Sequence, residues 1–451
     1  MKIGLIYQSR LLALQARLVE AIVSWLTPKR LRVYPTAIAV LTLLTWMVSQ
    51  AIGPGLTDAS YFNIGIDFQE FYMGGRFFLE DRMEDLYDFL AQQIYQQNLV
   101  APARQNTFHP FVYPPFSLVL YLPFALGDYL TGLYLWWGAG LLALTLSVSL
   151  LRQALFHPRA PSVLRLVLTS LLFYPTLAWF MYGQNTAFTL LLYALVFIWL
   201  RRKHDFAAGI AAGLLLYKPQ LAIALGVVLL IKWRWRALLG IAVAGGVLVA
   251  IGFLISPAAM INFVRLIPRL PLLERILDIS WGIISFFGFS ALLLDHIWQT
   301  GADLLAAGLT VGSLIYLALW WRRISWQPGT RVWDLGWAAT FALGLLISPQ
   351  LFFYDLMLLL LPLGIVWSYY LDGRGDRPLD GGPLLAWTAV LYTTAFVGPP
   401  LSMAQLRLFT ALGLPRMALQ VGVPAIVAWA WVVSRRAQSS ATSSNPVLAN
   451  G

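Results

Sequence analysis

Residues 237–255 read ALLGIAVAGGVLVAIGFLI, nineteen apolar residues in succession, and the basic cluster Lys232–Arg236 comes just before them. A helix rises about 1.5 Å per residue and the hydrocarbon core of a bilayer is about 30 Å thick, so a helix of this length crosses most or all of it. Comparable apolar runs occupy Leu304–Trp321 and Leu351–Tyr370. The chain is therefore predicted to be an all-α polytopic membrane protein.

Composition indicates the same class for the whole chain. Of its 451 residues, 59% are hydrophobic and 11% are charged, whereas soluble domains carry about 25% charged residues. The net charge of +11 comes largely from short basic clusters between apolar runs, such as Arg201–Lys203 and Arg322–Arg323, which is the pattern of cytoplasmic loops. A lipid bilayer is the expected partner, and nucleic acid is not. The absence of cysteine excludes disulfides, thiolate metal sites and cysteine nucleophiles.

The distribution of charge orients the chain in the membrane. Residues 1–35 hold six Lys or Arg and one Glu, and their apolar side chains share one helical face, which predicts a cytoplasmic amphipathic segment. Residues 54–115 carry eight acidic residues and three arginines, and are predicted to form a long first extracytoplasmic loop. Alternation of the remaining runs over 36–434 gives about twelve transmembrane helices, with 435–451 as a disordered cytoplasmic tail.

Two further segments of the predicted topology are irregular or polar. Proline and glycine interrupt the apolar stretch after residue 115, which predicts a re-entrant or interfacial piece at Phe116–Leu126 and a span at Tyr129–Leu151. Irregular backbone at membrane depth is tolerated where it is buried in protein or lines a cavity, so a cavity is expected beside this piece. A second extracytoplasmic segment is predicted from Ser256 to about Gly301.

The acidic residues that suit chemistry are predicted to lie in the first extracytoplasmic loop. Asp67 stands among the aromatic residues Phe68, Phe71 and Tyr72, an apolar setting that suits a carboxylate acting as general base. Glu70 is the second acidic candidate in this motif. A solvated loop carboxylate or a helix N-cap is the alternative for Asp67.

Aromatic and amide side chains provide candidates for sugar binding. Residues 108–115 read FHPFVYPP and include His109 and Tyr113, whose rings can stack on a sugar or a lipid chain, although anchoring at the membrane interface explains the same composition. Gln184 and Asn185 can each donate and accept hydrogen bonds, as sugar hydroxyls require. Helix capping is the alternative for Asn185.

Basic residues in apolar or extracytoplasmic positions are candidates for phosphate binding. Lys218 lies in a 26-residue apolar stretch, where a cation is costly and is expected to have a function; snorkelling towards lipid headgroups is the alternative. Arg265, Arg269 and Arg275 run against the positive-inside bias, and guanidinium binds phosphate through two parallel hydrogen bonds. Asp355 lies in an apolar helix, where a carboxylate needs a basic or hydroxyl partner.

No metal ion or other cofactor is expected. The four histidines are dispersed, and no Asp-x-Asp motif occurs in the predicted extracytoplasmic loops. A protein site for a divalent cation would require paired histidine or carboxylate ligands close together in the sequence.

In chain order the sequence carries Asp67-Phe, Leu86-Tyr87, Tyr113-Pro-Pro-Phe, Gly183-Gln-Asn, Lys218-Pro, Ser348-Pro and Tyr354-Asp355. This ordered set, spread over about residues 35–370, resembles glycosyltransferase family 87, which is similar to the polyprenyl-phosphate-mannose-dependent α-mannosyltransferases of the GT-C fold. The resemblance implies that an aspartate in the first outer loop, here Asp67, is the catalytic base. Many relatives carry histidines after the Ser-Pro motif, where this chain has Tyr354 and Asp355.

The resemblance implies a multi-pass enzyme of the cell membrane whose active site faces the extracytoplasmic side. It would transfer a sugar, mannose first, from a polyprenyl-phosphate donor to a glycan or glycolipid acceptor, with inversion at the anomeric carbon. Lys218, Arg265 and Arg269 are expected to bind the donor phosphate. The residues expected to bind substrate are Glu70, His109, Tyr113, Gln184, Asn185, Tyr354 and Asp355.

Three other functions are open alternatives. An arabinofuranosyltransferase of similar fold would differ in the sugar. A secondary transporter would have paired repeats and charges at the middle of the membrane. A ligase acting on lipid-diphosphate oligosaccharides would have more arginine in the first extracytoplasmic loop, which is acidic here.

Overall fold

The computed structural model describes residues 27–156, 160–371 and 381–443, together with Arg17, Glu20, Ala21 and Ser24. These residues form helices joined by turns and by two longer loops, 53–67 and 101–114, and the β pairing among them consists of two isolated bridges. The all-α prediction is confirmed for this part of the chain. Most of the predicted amphipathic segment 1–35, residues 157–159 and 372–380 and the last eight residues lie outside the described residues.

Eighteen α-helices follow one another in the described ranges. They are α1 (Pro28–Ile52), α2 (Phe68–Leu79), α3 (Phe89–Val100), α4 (Leu118–Tyr121), α5 (Tyr129–Leu155), α6 (Val163–Leu171), α7 (Tyr174–Tyr182), α8 (Thr186–Arg201), α9 (Asp205–Leu214), α10 (Ile223–Ile231), α11 (Trp235–Ile255), α12 (Pro257–Leu266), α13 (Leu270–Ile276), α14 (Phe286–Arg323), α15 (Arg331–Ile347), α16 (Leu360–Leu371), α17 (Gly381–Ala411) and α18 (Gly422–Ser443). Turns of 3₁₀ helix lie at Met83–Tyr87, Pro115–Ser117, Leu122–Phe124, Leu215–Tyr217, Pro219–Ala222, Ile267–Arg269, Ser280–Gly282 and Phe353–Leu359.

Five of the described helices, α1, α5, α11, α14 and α17, are long and apolar enough to cross a membrane. A sixth span results if α6 and α7, which meet at a bend of 80°, are counted as one broken helix. Several other apolar helices have only 10–17 residues. The described helices therefore support a multi-pass membrane protein, while the total of about twelve crossings stays a prediction.

The boundaries of the predicted interfacial piece and of the span after it follow from local sequence, although no residue of Phe116–Leu126 lines the cavity described below. Helix α5 begins at Tyr129, as predicted, because the Asp128 side chain accepts a hydrogen bond of 3.0 Å from the backbone N–H of Thr131. The preceding apolar stretch is broken into short turns, as its prolines and glycine predict. At the other end of the chain, α18 continues to Ser443, so the predicted start of the tail at residue 435 falls within a helix.

An aromatic cluster joins the segment after α1 to the helices that follow it. The rings of Phe71 and Tyr121 stack with their centroids 4.4 Å apart, and Phe68 lies 5.9 Å from Trp136. The indole N–H of Trp136 donates a 2.7 Å hydrogen bond to the carbonyl of Gly183. Burial of these large rings stabilises the docking of α2 against α4 and α5, and so determines where the residue just before α2 lies.

Small residues bring α9 and α11 into close contact. A Cβ atom added at Gly209 would lie 2.0 Å from the carbonyl oxygen of Ala237. A Cβ atom added at Gly240 would lie 2.3 Å from the carbonyl oxygen of Phe206. The two backbones thus touch where the glycines face each other. Close backbone approach increases van der Waals contact, which replaces the hydrophobic effect as the force that holds apolar helices together in a membrane.

We predict that Gly240→Leu destabilises the protein by about 1–3 kcal/mol or more, because the added side chain separates α9 from α11. Gly246→Leu on the same helix is the control, since a Cβ at Gly246 has no neighbour within 4 Å. Thermal unfolding of both variants in the same detergent measures the difference. Equal unfolding temperatures would contradict the close contact.

Candidate active site

A cavity of about 930 Å³ opens between the segment before α2, the loop 106–114, the turn at Lys218, helices α12 and α13, and residues 349–355. Its wall is mostly apolar and aromatic, with polar groups at a few points, as is common for ligand-binding sites. Most of the predicted site residues line it, although they come from five separate parts of the sequence. Those in the wall are Asp67, Glu70, His109, Tyr113, Gln184, Lys218, Tyr354 and Asp355.

Asp67 is buried in the wall of this cavity, with 6% of its surface exposed. Its backbone N–H donates to the Tyr182 carbonyl at 2.8 Å, which ties the start of α2 to the end of α7. One carboxylate oxygen accepts a 3.1 Å hydrogen bond from the Gln184 amide, and the other lies 3.3 Å from Nδ1 of His109. The side chain does not cap α2. The alternative of a solvated carboxylate is therefore wrong, and Asp67 stands at the N-cap position of α2 without using its side chain as a cap.

Gln184 connects Asp67 to Tyr354. Its amide nitrogen donates to the Asp67 carboxylate and, at 3.2 Å, to the Tyr354 hydroxyl. The amide oxygen accepts from the backbone N–H of Asn185 at 2.7 Å, and this bond determines which end of the amide faces Asp67. Gly183 precedes it with φ of 68°, and a Cβ there would lie 2.9 Å from that of Phe68. Glycine is required because this turn is left-handed and crowded.

His109 is oriented from both sides. Its Nε2 lies 2.9 Å from the Thr107 hydroxyl, while Nδ1 faces Asp67. The backbone of His109 is fixed by the buried side chain of Gln96, which donates to its carbonyl at 2.5 Å and accepts from its N–H at 3.2 Å. Gln92, one helical turn earlier, accepts from the N–H of Phe111 at 2.8 Å. Helix α3 therefore holds the loop at the cavity.

The roles of Gln92 and Gln96 were missed in the sequence analysis. Both amides are almost completely buried, with 0% and 1% exposed surface. Their spacing of four residues puts them on one face of α3, and that spacing was the signal available in the sequence. Polar residues on a buried helix face need partners, and here the partner is the backbone of an irregular loop.

Lys218 and Asp355 form a buried ion pair in the cavity wall. The ammonium lies 3.2 Å from a carboxylate oxygen of Asp355, and the Thr186 hydroxyl donates to the same oxygen at 2.5 Å. The ammonium also lies 6.0 Å from the centroid of the Tyr113 ring, within range of a cation–π interaction. Only 7% of Lys218 is exposed. Its burial and its pairing with Asp355 argue against the alternative that Lys218 snorkels towards lipid headgroups.

Glu70 faces the cavity one helical turn after Asp67. Burial raises the pKa of Glu70 well above its ordinary value, the negative charge of Asp67 raises it further, and Lys218 lowers it. Two carboxyl groups this close together do not ionise equally. The arrangement favours a proton on Glu70, which makes its carboxyl a hydrogen-bond donor as well as an acceptor.

Four predicted substrate or phosphate ligands do not line the cavity. Asn185 is fully buried behind it and donates to the Tyr121 hydroxyl at 2.9 Å. Arg265 and Arg269 are exposed at the end of α12 and in the turn after it, because Ile267 and Leu270 occupy the positions that face the cavity. Arg275 is engaged by Asp295 at 2.8 Å and by Asp303 at 2.6 Å. The prediction that such arginines form a phosphate site is therefore not supported by their positions.

Comparison with known proteins gives one match. The sequence profile of glycosyltransferase family 87 matches residues 111–349, a little more than half of the chain, and confirms the resemblance seen in the motifs. Gln184 and Lys218 lie inside the matched range, whereas Asp67 and His109 precede it and Asp355 follows it. No curated protein and no solved structure gives a significant match.

The Lys218–Asp355 pair leads to a prediction about stability. Lys218→Met or Asp355→Asn alone leaves one uncompensated buried charge and is expected to destabilise the protein by about 3–5 kcal/mol. The double variant removes both charges and should recover most of that loss. Thermal unfolding of the four proteins measures the coupling between the two sites. Additive losses would show that the two charges do not interact.

Proposed function

We propose that this chain, which belongs to glycosyltransferase family 87, transfers a sugar from a polyprenyl-phosphate donor to a hydroxyl of a glycan or glycolipid. Mannose is the first candidate sugar and arabinofuranose the second. The observation that carries the proposal is the pairing, in one cavity, of a buried carboxylate oriented by His109 and Gln184 with a buried ammonium at Lys218. The proposal includes the GT-C fold, a position in the cell membrane and an active site on the extracytoplasmic face.

In the proposed reaction, Asp67 accepts the proton of the acceptor hydroxyl. The acceptor oxygen forms a bond to the anomeric carbon while the bond from that carbon to the phosphate oxygen breaks, and its electron pair leaves with the phosphate. A single displacement inverts the anomeric centre, so a β-linked donor gives an α-linked product. Polyprenyl phosphate is the second product.

The ammonium of Lys218 would stabilise the charge that develops on the departing phosphate. Asp355 holds Lys218 through one carboxylate oxygen, and the Thr186 hydroxyl donates to that same oxygen. An ammonium has three N–H donors, so the ion pair leaves donors for a phosphate oxygen. A cation fixed before the reaction stabilises developing charge without rearrangement.

His109 and Glu70 would assist Asp67. A carboxylate held by a histidine and an amide keeps its orientation, as the base in such a reaction requires. Glu70, which favours the protonated form, can donate to a sugar hydroxyl or to Asp67.

The apolar part of the cavity supports a lipid-linked donor. Helices α12 and α13 and the turn between them contribute aliphatic and aromatic side chains to the wall beside the polar groups. Such a surface suits a polyprenyl chain, whose burial is favourable by about 25 cal/mol per Å² of apolar area. The side chains of this surface include Phe263, Ile267, Leu270, Leu273 and Leu277.

We predict that Asp67→Asn lowers the rate of transfer by about 10²–10⁴-fold, because the amide keeps the size of the side chain but cannot take the proton. Release of polyprenyl phosphate from polyprenyl-phosphate mannose, in the presence of an acceptor, is the assay. Asp81→Asn, an exposed residue of the same segment, is the matched control and should behave as wild type. Near-normal turnover of Asp67→Asn would contradict the role of Asp67 as base.

Activity is expected to survive EDTA. The departing group carries a single phosphate, whose charge a fixed ammonium can stabilise without a divalent ion. Within the described ranges, histidine and carboxylate side chains do not form a group of three placed to hold a metal ion. The measurement is turnover of the same donor before and after addition of EDTA. Complete loss, reversed by one divalent ion, would contradict this part of the mechanism.

A further inference from the structure

Glu274 is a buried carboxylate that the proposed reaction does not use. It lies on α13 in the wall of the cavity, and 4% of its surface is exposed. Neither of its carboxylate oxygens has a hydrogen-bond partner among the described residues. The Gln350 side chain approaches the carboxyl without meeting hydrogen-bond geometry, and it lines the same cavity.

A carboxylate in this position is costly for the fold. Burial raises the pKa of Glu274 to about 7, and the neighbouring Gln350 and Arg275 oppose this shift only in part. Arg275 cannot serve as a full partner, because its guanidinium is bound to Asp295 and Asp303. Buried polar groups in proteins are nearly always hydrogen-bonded, so an exception in a cavity indicates a partner that is not part of the protein.

Asp334 shows how a structural buried carboxylate looks in the same protein. It is fully buried, and it accepts two hydrogen bonds of 3.2 Å from Arg201 and one of 2.7 Å from the Tyr369 hydroxyl. All three hydrogen bonds come from two side chains of the protein, so this carboxylate does not require a ligand. Glu274 has the same chemistry without such partners.

Other side chains in the wall of this cavity suit a sugar ring. Trp281 and Phe352 line the cavity with it, and their ring centroids are 5.8 Å apart in an edge-to-face arrangement. The two oxygens of a carboxylate can accept from two adjacent hydroxyls, and an amide such as Gln350 can both donate and accept. An indole face packs against the C–H side of the ring.

We propose that Glu274, with Gln350 and Trp281, forms a subsite that binds two hydroxyls of a sugar ring, distinct from the groups at Asp67 and Lys218. The inference rests on the proposed glycosyl transfer. The hydroxyls belong either to the acceptor or to the sugar of the donor, and both offer the same chemistry to the carboxylate.

The test uses Glu274→Gln, which is nearly isosteric, and Glu274→Leu, which removes all hydrogen bonding. Glu84→Gln, an exposed residue outside the cavity, is the matched control. Initial rates of polyprenyl phosphate release are measured while polyprenyl-phosphate mannose and octyl α-mannoside are varied in turn, and thermal unfolding is measured for each variant.

We expect KM for one of the two substrates to rise about tenfold or more in both variants, and more in Glu274→Leu, because hydrogen bonds to a charged group are lost. The unfolding temperature should stay unchanged or rise, since the variants relieve a buried charge without a partner. A purely structural role would instead lower the unfolding temperature. A rise in KM for octyl α-mannoside assigns the subsite to the acceptor, and a rise for the donor, seen also when water replaces the acceptor, assigns it to the donor sugar.

Unchanged values of KM in stable variants would overturn the subsite while leaving the proposed transfer intact. Lower unfolding temperatures accompanied by loss of turnover without a change in KM would also overturn it, because they indicate a structural carboxylate. A wild-type protein that releases no polyprenyl phosphate would contradict the proposed function and, with it, this inference.

Discussion

The ion pair between Lys218 and Asp355 joins residues that are 137 positions apart in the sequence and brings two of the cavity walls together. Both side chains lie in apolar surroundings, where either charge alone would cost several kcal/mol. The pair therefore requires the turn before α10 and the segment after α15 to meet. The hydroxyl of Thr186 on the same carboxylate adds the start of α8 to the contact. A cavity with a fixed cation follows from this one constraint.

Asp67 depends on a second set of contacts that reaches across the fold. Gln184, which bonds to it, is 117 residues away in the sequence, and the Tyr354 hydroxyl on the same amide is a further 170 residues on. The aromatic cluster of Phe68, Phe71 and Trp136 holds α2 against the bundle, so that the carboxylate before α2 faces inward. Apolar packing thus positions the carboxylate, and Gln184 and His109 orient it.

The charged side chains of α12, α13 and the connecting turn show that proximity in the sequence does not decide which residues line the cavity. Three arginines stand close in sequence, and all were plausible phosphate ligands. Two are exposed outside the cavity, and the third is held by two aspartates. The glutamate beside the third arginine, which has no such partners, is the side chain in the cavity wall. Helical phase separates neighbours that the sequence presents as equivalent.

The sequence by itself determined the membrane class, the extent of the apolar run that forms α11, and eight of the residues that line the cavity. It did not predict that α14 begins at Phe286, inside the predicted second extracytoplasmic segment, or that Leu351–Tyr370 is divided by a turn of 3₁₀ helix. Apolar runs and their interruptions act locally, so the start of α5 at Tyr129 and the irregular piece before it could be predicted from neighbouring residues. Glycosyltransferase family 87 was also recognisable from short ordered motifs. Tertiary structure alone decided which polar side chains meet. It gave Lys218 its partner, and it placed His109 and Gln184 beside Asp67. It also placed Gln92 and Gln96 under the loop at the cavity and left Glu274 without a partner. These contacts join residues that are between 13 and 137 positions apart in the sequence. Only the packing of the helices around the cavity brings such residues together.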